Sequence, residues 1–191
     1  MRNKNAPLLP SPLYAIFDPS QTKGRLPHHI LRQLLDGGAR IIQLRAKEMA
    51  AGDCLDLARK AGELCRPAGC LFIVNDRVDI ALAAKADGVH LGQEDLPLHV
   101  ARKLMGKDKI IGISTHDLAQ AQEAAQGGAD YIGFGPIFGT TTKNTGYSAR
   151  GLDMLKEIRQ AVKIPIVAIG GITEANVAQV WQAGANSAAI I

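Results

Sequence analysis

Aromatic side chains make up only 4% of this 191-residue chain, and its basic residues are scattered without a run. Those two scarcities exclude the stacking platform and positive stripe by which proteins hold nucleic acid. Long apolar stretches are missing too, so nothing approaches the roughly 20 residues that cross a bilayer as a helix. Cysteine is sparse: Cys54, Cys65 and Cys70 lack paired C-x-x-C spacing, and an odd number completes no disulfide framework. They read as small buried apolar residues. The opening "MRNKNAPLLPSPL" is basic but has no apolar core of signal-peptide length. Residues 1–12 are therefore expected to form a flexible lead-in to a cytoplasmic protein with no membrane partner.

What the chain does have is an ordinary globular balance, 47% hydrophobic and 21% charged, in a length that suits one well-buried domain, expected over residues 13–191. Its 22 Lys and Arg against 18 Asp and Glu give a formal charge of +4, which favours small anionic ligands. Short apolar runs recur at Leu13, Arg40, Cys70, Gly88, Lys109, Tyr131, Pro165 and Ser187. Their near-continuous aliphatic and β-branched character fits strands buried on both faces of a parallel sheet. The intervals carry helical spacing, as in "LDLARKAGELC", "DLAQAQEAAQGGA" and "TEANVAQVWQAGA". Several close on glycine before the next strand, as in "DGGAR" and "QAGANS", where glycine ends a helix in the left-handed conformation. Eight strands alternating with helices predict a (β/α)₈ TIM barrel, with a doubly wound open sheet as the alternative. No helix follows the eighth run before Ile191.

In such a barrel the chemistry belongs at the carboxyl ends of the strands. The second run ends in "QLRAK", where Gln43, Arg45 and Lys47 share one parity and face one side if the chain stays extended. Arg and Lys together suit a diphosphate, though alone the stretch also reads as a solvated loop. Asp76 in "NDR" and Asp95 in "GQED" lie at neighbouring strand ends. Each can cap a following helix; together they can share a magnesium ion, which takes one or two protein carboxylates. Asp79 reads as an exposed first-turn acid. Ser114 and His116 share one parity after the fifth strand, while His90 reads as a packed or hydrogen-bonded core histidine. Gly170 and Gly171 bare backbone N–H groups before a helix expected near Thr173, a second candidate anion site. Thr140, Thr141, Thr142 and Lys143 bring three hydroxyls and an ammonium to the sixth strand end.

The set "QLRAK", "NDR", "GVHLGQED", "GISTH", "GFGPIFGTTTK" and "AIGGI" resembles the thiamine-phosphate synthase (thiamine-phosphate pyrophosphorylase) family, in family order from about Leu13 to the last residue. The resemblance implies an enzyme that joins 4-amino-5-hydroxymethyl-2-methylpyrimidine diphosphate to a thiazole phosphate, giving thiamine phosphate and diphosphate. It implies that Gln43, Leu44, Arg45, Ala46, Lys47, Asn75, Ser114 and Lys143 hold the pyrimidine diphosphate, with Arg45, Lys47, Ser114 and Lys143 acting in catalysis. Asp76 and Asp95 would bind Mg²⁺, and Thr140, Thr141, Thr142 and Gly171 would receive the thiazole phosphate. The family pattern also places a small polar residue and a closing helix after the eighth strand. A thiazole tautomerase-like barrel, with His116 as acid or base, and a non-catalytic precursor-binding regulator are the alternatives; the paired aspartates and Lys143 favour the synthase.

Overall fold

The computed structural model describes residues 8–139 and 148–191. In chain order it places β1 (Leu13–Phe17), α1 (Pro27–Asp36), β2 (Ile41–Leu44), α2 (Ala51–Cys65), β3 (Leu71–Asn75), α3 (Val78–Ala83), β4 (Gly88–Leu91) and α4 (Leu98–Met105). The second half runs β5 (Ile110–Thr115), α5 (Leu118–Gln126), β6 (Tyr131–Phe134), α6 (Gly151–Ala161), β7 (Ile166–Ala168), α7 (Val177–Gln182) and β8 (Ser187–Ile190). All neighbouring strands pair in parallel, and β8 closes the sheet by pairing with both β7 and β1, so the barrel rather than the open sheet is observed. No helix among the described residues is long and apolar enough to cross a membrane.

Strand parity divides the interior into two cores. On β1, Ala15 and Phe17 point out towards the helices while Tyr14 and Ile16 point into the barrel. The outer layer takes one stripe from each helix: α2 buries Cys54, Ala58, Ala61, Gly62 and Cys65, at spacings that keep them on one face. All three cysteines are buried and free, as their spacing implied. The inner cluster comprises Tyr14, Ile16, Ile41, Ile73, Ile110, Tyr131, Val167 and Ala189, and Leu8 and Leu9 pack against it from the segment before β1.

The helix ends follow the sequence. Gly38 and Gly128 have φ of 86°, and the next residues, Ala39 and Ala129, donate back to Leu34 and Ala124. These left-handed closures satisfy the last carbonyls of α1 and α5 and turn the chain into the next strand.

Two strand glycines have a different role. A Cβ at Gly112 on β5 would lie 2.1 Å from Cζ of Tyr131, and one at Gly133 on β6 would lie 2.9 Å from Cε1 of His90. Their missing side chains are the space in which the two rings sit. Gly112→Ala therefore forces a bulky ring to move in a closed interior and should cost about 1–3 kcal/mol of stability. Urea denaturation of the two proteins measures it; equal midpoints and slopes would show that Tyr131 does not depend on that hollow.

Candidate active site

The inward residues near the carboxyl ends of the strands surround a cavity of about 350 Å³, lined by Gln43, Arg45, Asn75, His90, Ser114 and His116 above the rings of Tyr14 and Tyr131. Its apolar wall comes from Ile16, Val167 and Ile169. Beneath it a line of hydrogen bonds crosses the barrel. Gln43 Nε2 donates to the Tyr14 hydroxyl at 2.9 Å, and the Tyr14 and Tyr131 hydroxyls are 2.8 Å apart. Tyr131 meets His90 Nδ1 at 3.0 Å, and His90 Nε2 meets Ser114 Oγ at 2.9 Å. Burial pushes Tyr14 up to about 12 and holds Tyr131 well above the usual tyrosine range, so both remain neutral hydroxyls. His90 is thus the hydrogen-bonded core histidine its strand position implied. Sequence reasoning passed over the two tyrosines, although a tyrosine inside a doubly buried strand must find a partner for its hydroxyl.

Parity holds for Gln43 and Arg45 but not for Lys47. β2 ends at Leu44, Arg45 continues the ladder by donating to Phe17 O at 2.9 Å, and the chain then turns. Lys47 consequently leaves the central cavity and pairs with Asp76 at 2.9 Å. Leu44 and Ala46 direct their side chains into the outer core, which leaves their backbone for any ligand. Arg45 is held by Asp18, a residue without a sequence assignment, at 2.5 Å. Burial alone would raise the Asp18 pKa, but the hydroxyl and N–H of Ser20 and the Arg45 guanidinium outweigh it and hold the carboxyl below its usual range.

Asp76 and Asp95 come together as their strand ends implied, and neither caps a helix: the N-caps of α3 and α4 are Arg77 and Pro97. Asp76 sits at a φ of 63°, a left-handed conformation that turns its carboxylate towards Lys47. Asp95 accepts the Gly92 N–H at 2.6 Å. Burial raises the Asp95 pKa most strongly; the Gly92 N–H works against it, hydrogen-bonding contact and like charge from Asp76 raise it further, and Lys47 opposes them least, so the carboxyl ends above its usual range. Crowded carboxylates of this kind fit a shared cation, although no group of three or more His, Cys, Asp or Glu side chains suited to a metal occurs among the described residues. Beside them Asn75 lines the cavity with its Nδ2 buried and without a hydrogen-bond partner among the described residues. Asp79 pairs with Arg77 at 2.5 Å on the exposed first turn of α3, the structural role expected of it.

Across the mouth, the loops after β6 and β7 are joined. Ile137 and Phe138 donate to Ile169 and Gly170 at 2.8 and 3.0 Å, and a Cβ on Gly171 would lie 2.5 Å from Gly139 O. Gly170 and Gly171 line the cavity with Thr173, but α7 begins only at Val177, because Asn176 folds back to accept the Thr173 N–H and to donate to Gly171 O. The backbone at the two glycines is therefore a turn and not a helix start. His116 lines the same side, with Nδ1 2.6 Å from Gly135 O. Thr140, Thr141, Thr142 and Lys143 lie outside the described residues.

The Asp18–Arg45 pair yields a pH-dependent prediction. A folded-state pKa below the ordinary value means the pair stabilises the fold fully above the usual carboxylate range and loses that effect as pH falls through it. Asp18→Asn should cost about 1–3 kcal/mol at pH 7, and the gap should shrink below about pH 4. Urea melts at the two pH values check this; a gap that does not change with pH would remove the ion pair from the account.

The model of the thiamine monophosphate synthase family matches residues 13–191. A thiamine-phosphate synthase of Moorella thermoacetica is 50% identical over 179 residues, covering 94% of this chain and 85% of the relative. That of Chloroflexus aurantiacus is 47% identical, with 94% and 82% covered. Among solved structures, a thiamine phosphate pyrophosphorylase from Pyrococcus furiosus superposes with a TM-score of 0.85 at 39% identity, covering 94% of this chain and 84% of that one. Matched across its whole barrel and near half identical to these relatives, the chain belongs to the thiamine monophosphate synthase family.

Proposed function

We propose that the chain is a thiamine-phosphate synthase that joins 4-amino-5-hydroxymethyl-2-methylpyrimidine diphosphate to a thiazole phosphate in the cytoplasm. Family membership supports the reaction, and one observation carries the assignment of the site. A mostly apolar cavity that fits a small ring opens onto Arg45, Asn75 and Ser114, with Lys47 and the Asp76–Asp95 pair at its edge. In this reading the pyrimidine lies over the tyrosines against Gln43, and its diphosphate reaches Arg45, Lys47, Asn75, Ser114 and Lys143. The unpartnered Asn75 Nδ2 has the donor that a phosphate oxygen requires.

The reaction breaks the bond between the methylene carbon and the diphosphate oxygen, and the electron pair leaves with the diphosphate. The thiazole nitrogen then supplies the pair that forms the new C–N bond. Asp76 and Asp95 would hold Mg²⁺, which when bound neutralises charge on the leaving diphosphate. Arg45 and Lys47 stabilise the same charge, and their carboxylate partners keep them oriented before substrate arrives. The apolar wall of Ile16, Val167 and Ile169 limits the water that reaches the pyrimidine cation. Gly171, beside Gly139 where the Thr140 to Thr142 run begins, would contribute to the thiazole phosphate site.

Assay of the purified protein with both substrates and magnesium should yield thiamine phosphate, and no product under any condition would sink the reading. Asp76→Asn and Asp95→Asn should each slow product formation by about 100-fold or more, a loss of about 3 kcal/mol in transition-state stabilisation. Magnesium should raise the melting temperature of the unmodified protein and have little effect on either variant. A full magnesium shift in both variants would move the metal elsewhere.

A further inference from the structure

With the Gln43 amide nitrogen turned to Tyr14, the hydrogen-bonded line under the cavity has one direction that satisfies each buried group along it. Gln43 Nε2 donates to the Tyr14 oxygen, and both tyrosine rings are only 1% exposed. If Tyr131 donated to Tyr14, the single Tyr14 proton would have no acceptor among the described residues. Tyr14 must therefore donate to Tyr131, and Tyr131 must pass its own proton on to His90 Nδ1. A neutral imidazole that accepts at Nδ1 carries its proton on Nε2, which points at Ser114 Oγ. Ser114 then accepts from His90 and has its own proton left for the cavity. At the other end, the Gln43 amide has its oxygen left for the cavity.

We propose that Tyr14, Tyr131 and His90 are positioning residues that lock the polarity of Gln43 and Ser114 together, and that this lock selects an amino-bearing ring diphosphate. The inference rests on the proposed reaction for the identity of the ligand. A ring amino group donates to the Gln43 oxygen, and a diphosphate oxygen accepts from Ser114. A ring with an acceptor in that position, such as a 4-methoxy group, has to turn the Gln43 amide over. Tyr14 then donates to Gln43, Tyr131 to Tyr14, His90 Nδ1–H to Tyr131, and Ser114 to His90 Nε2. The hydroxyl that faced the diphosphate no longer has a proton for it. Recognition of the ring substituent and of the leaving group are thereby one choice, carried from β2 to β5 through the barrel interior.

The first test is nitrogen-15 NMR of histidine-labelled protein without substrate, with the His90 signals assigned by their loss in His90→Gln. A protonated Nε2 and bare Nδ1 are expected; the opposite tautomer overturns the proposal, whatever the reaction proves to be. The second test compares kcat/KM for the 4-amino and 4-methoxy pyrimidine diphosphates. The unmodified protein should favour the amino form by about ten- to a hundredfold, the effect of leaving one buried polar group unsatisfied. Tyr131→Phe, which cuts the line, should bring the ratio to within about threefold. Ser114→Ala should relax it similarly, although that residue lies at the diphosphate end. A merely local role for Ser114 predicts slower turnover of both compounds at an unchanged ratio, and that result would overturn the coupling. Absence of turnover in the unmodified protein would instead count against the proposed reaction, with the tautomer still read by NMR.

Discussion

A continuous line of hydrogen bonds from Gln43 on β2 to Ser114 on β5 is the constraint around which this barrel is built. Polar groups removed from water are tolerated only when each finds a partner, so five side chains from five strands have to keep their mutual distances. Closure of the sheet fixes the strands, and Gly112 and Gly133 leave the volume the rings occupy. Isoleucines and Val167 fill the interior around the line, and Leu8 and Leu9 add apolar contact. The helices contribute through the outer core, where their apolar stripes hold the strands against any change of register.

The electrostatics of the mouth are layered on that frame. Each cation assigned to the diphosphate and described in the structure already has a carboxylate partner: Asp18 for Arg45 and Asp76 for Lys47. Pairing fixes the side chains in place and limits repulsion among like charges while no anion is bound. Asp95 is the member of this group that pairing does not satisfy, since burial and Asp76 both act against its ionised form. The same crowding that disfavours the free carboxylate is relieved by a divalent cation, which connects the electrostatics of the site to the proposed metal requirement.

Much of this was legible in the chain. Eight apolar runs gave eight strands in the observed order, and the described motif residues at their ends line or border a common mouth, because strand parity and the parallel barrel leave little freedom there. Lys47 was misplaced by the same rule: parity extrapolates only while the chain is extended, and β2 stops at Leu44. A capping role for Asp76 and Asp95 was plausible from spacing, yet the helix starts fall at Arg77 and Pro97, boundaries that a residue or two of turn geometry decide. The start of α7 shifted to Val177 for the same reason, through the side chain of Asn176. Asp18 and the tyrosines were missed because their function is a contact across strands, and one-dimensional periodicity says which face a residue takes but not whom it meets. The burial demanded of Tyr14 and Tyr131 was readable; their shared hydroxyl contact required the closed sheet.

The central claim, that a sealed and neutral polar line runs through the barrel, is tested most directly by titrating the tyrosines in the ultraviolet. Tyr14 and Tyr131 are two of three tyrosines in the chain, and burial raises both, Tyr14 to about 12. Followed at the tyrosinate absorbance band, the folded protein should show at most one tyrosine ionising near pH 10, the ordinary tyrosine value. Tyr14 should ionise only near pH 12 and Tyr131 well above the ordinary tyrosine value, or both together with unfolding. Ionisation of two or three tyrosines near pH 10 in protein that remains folded would contradict the account.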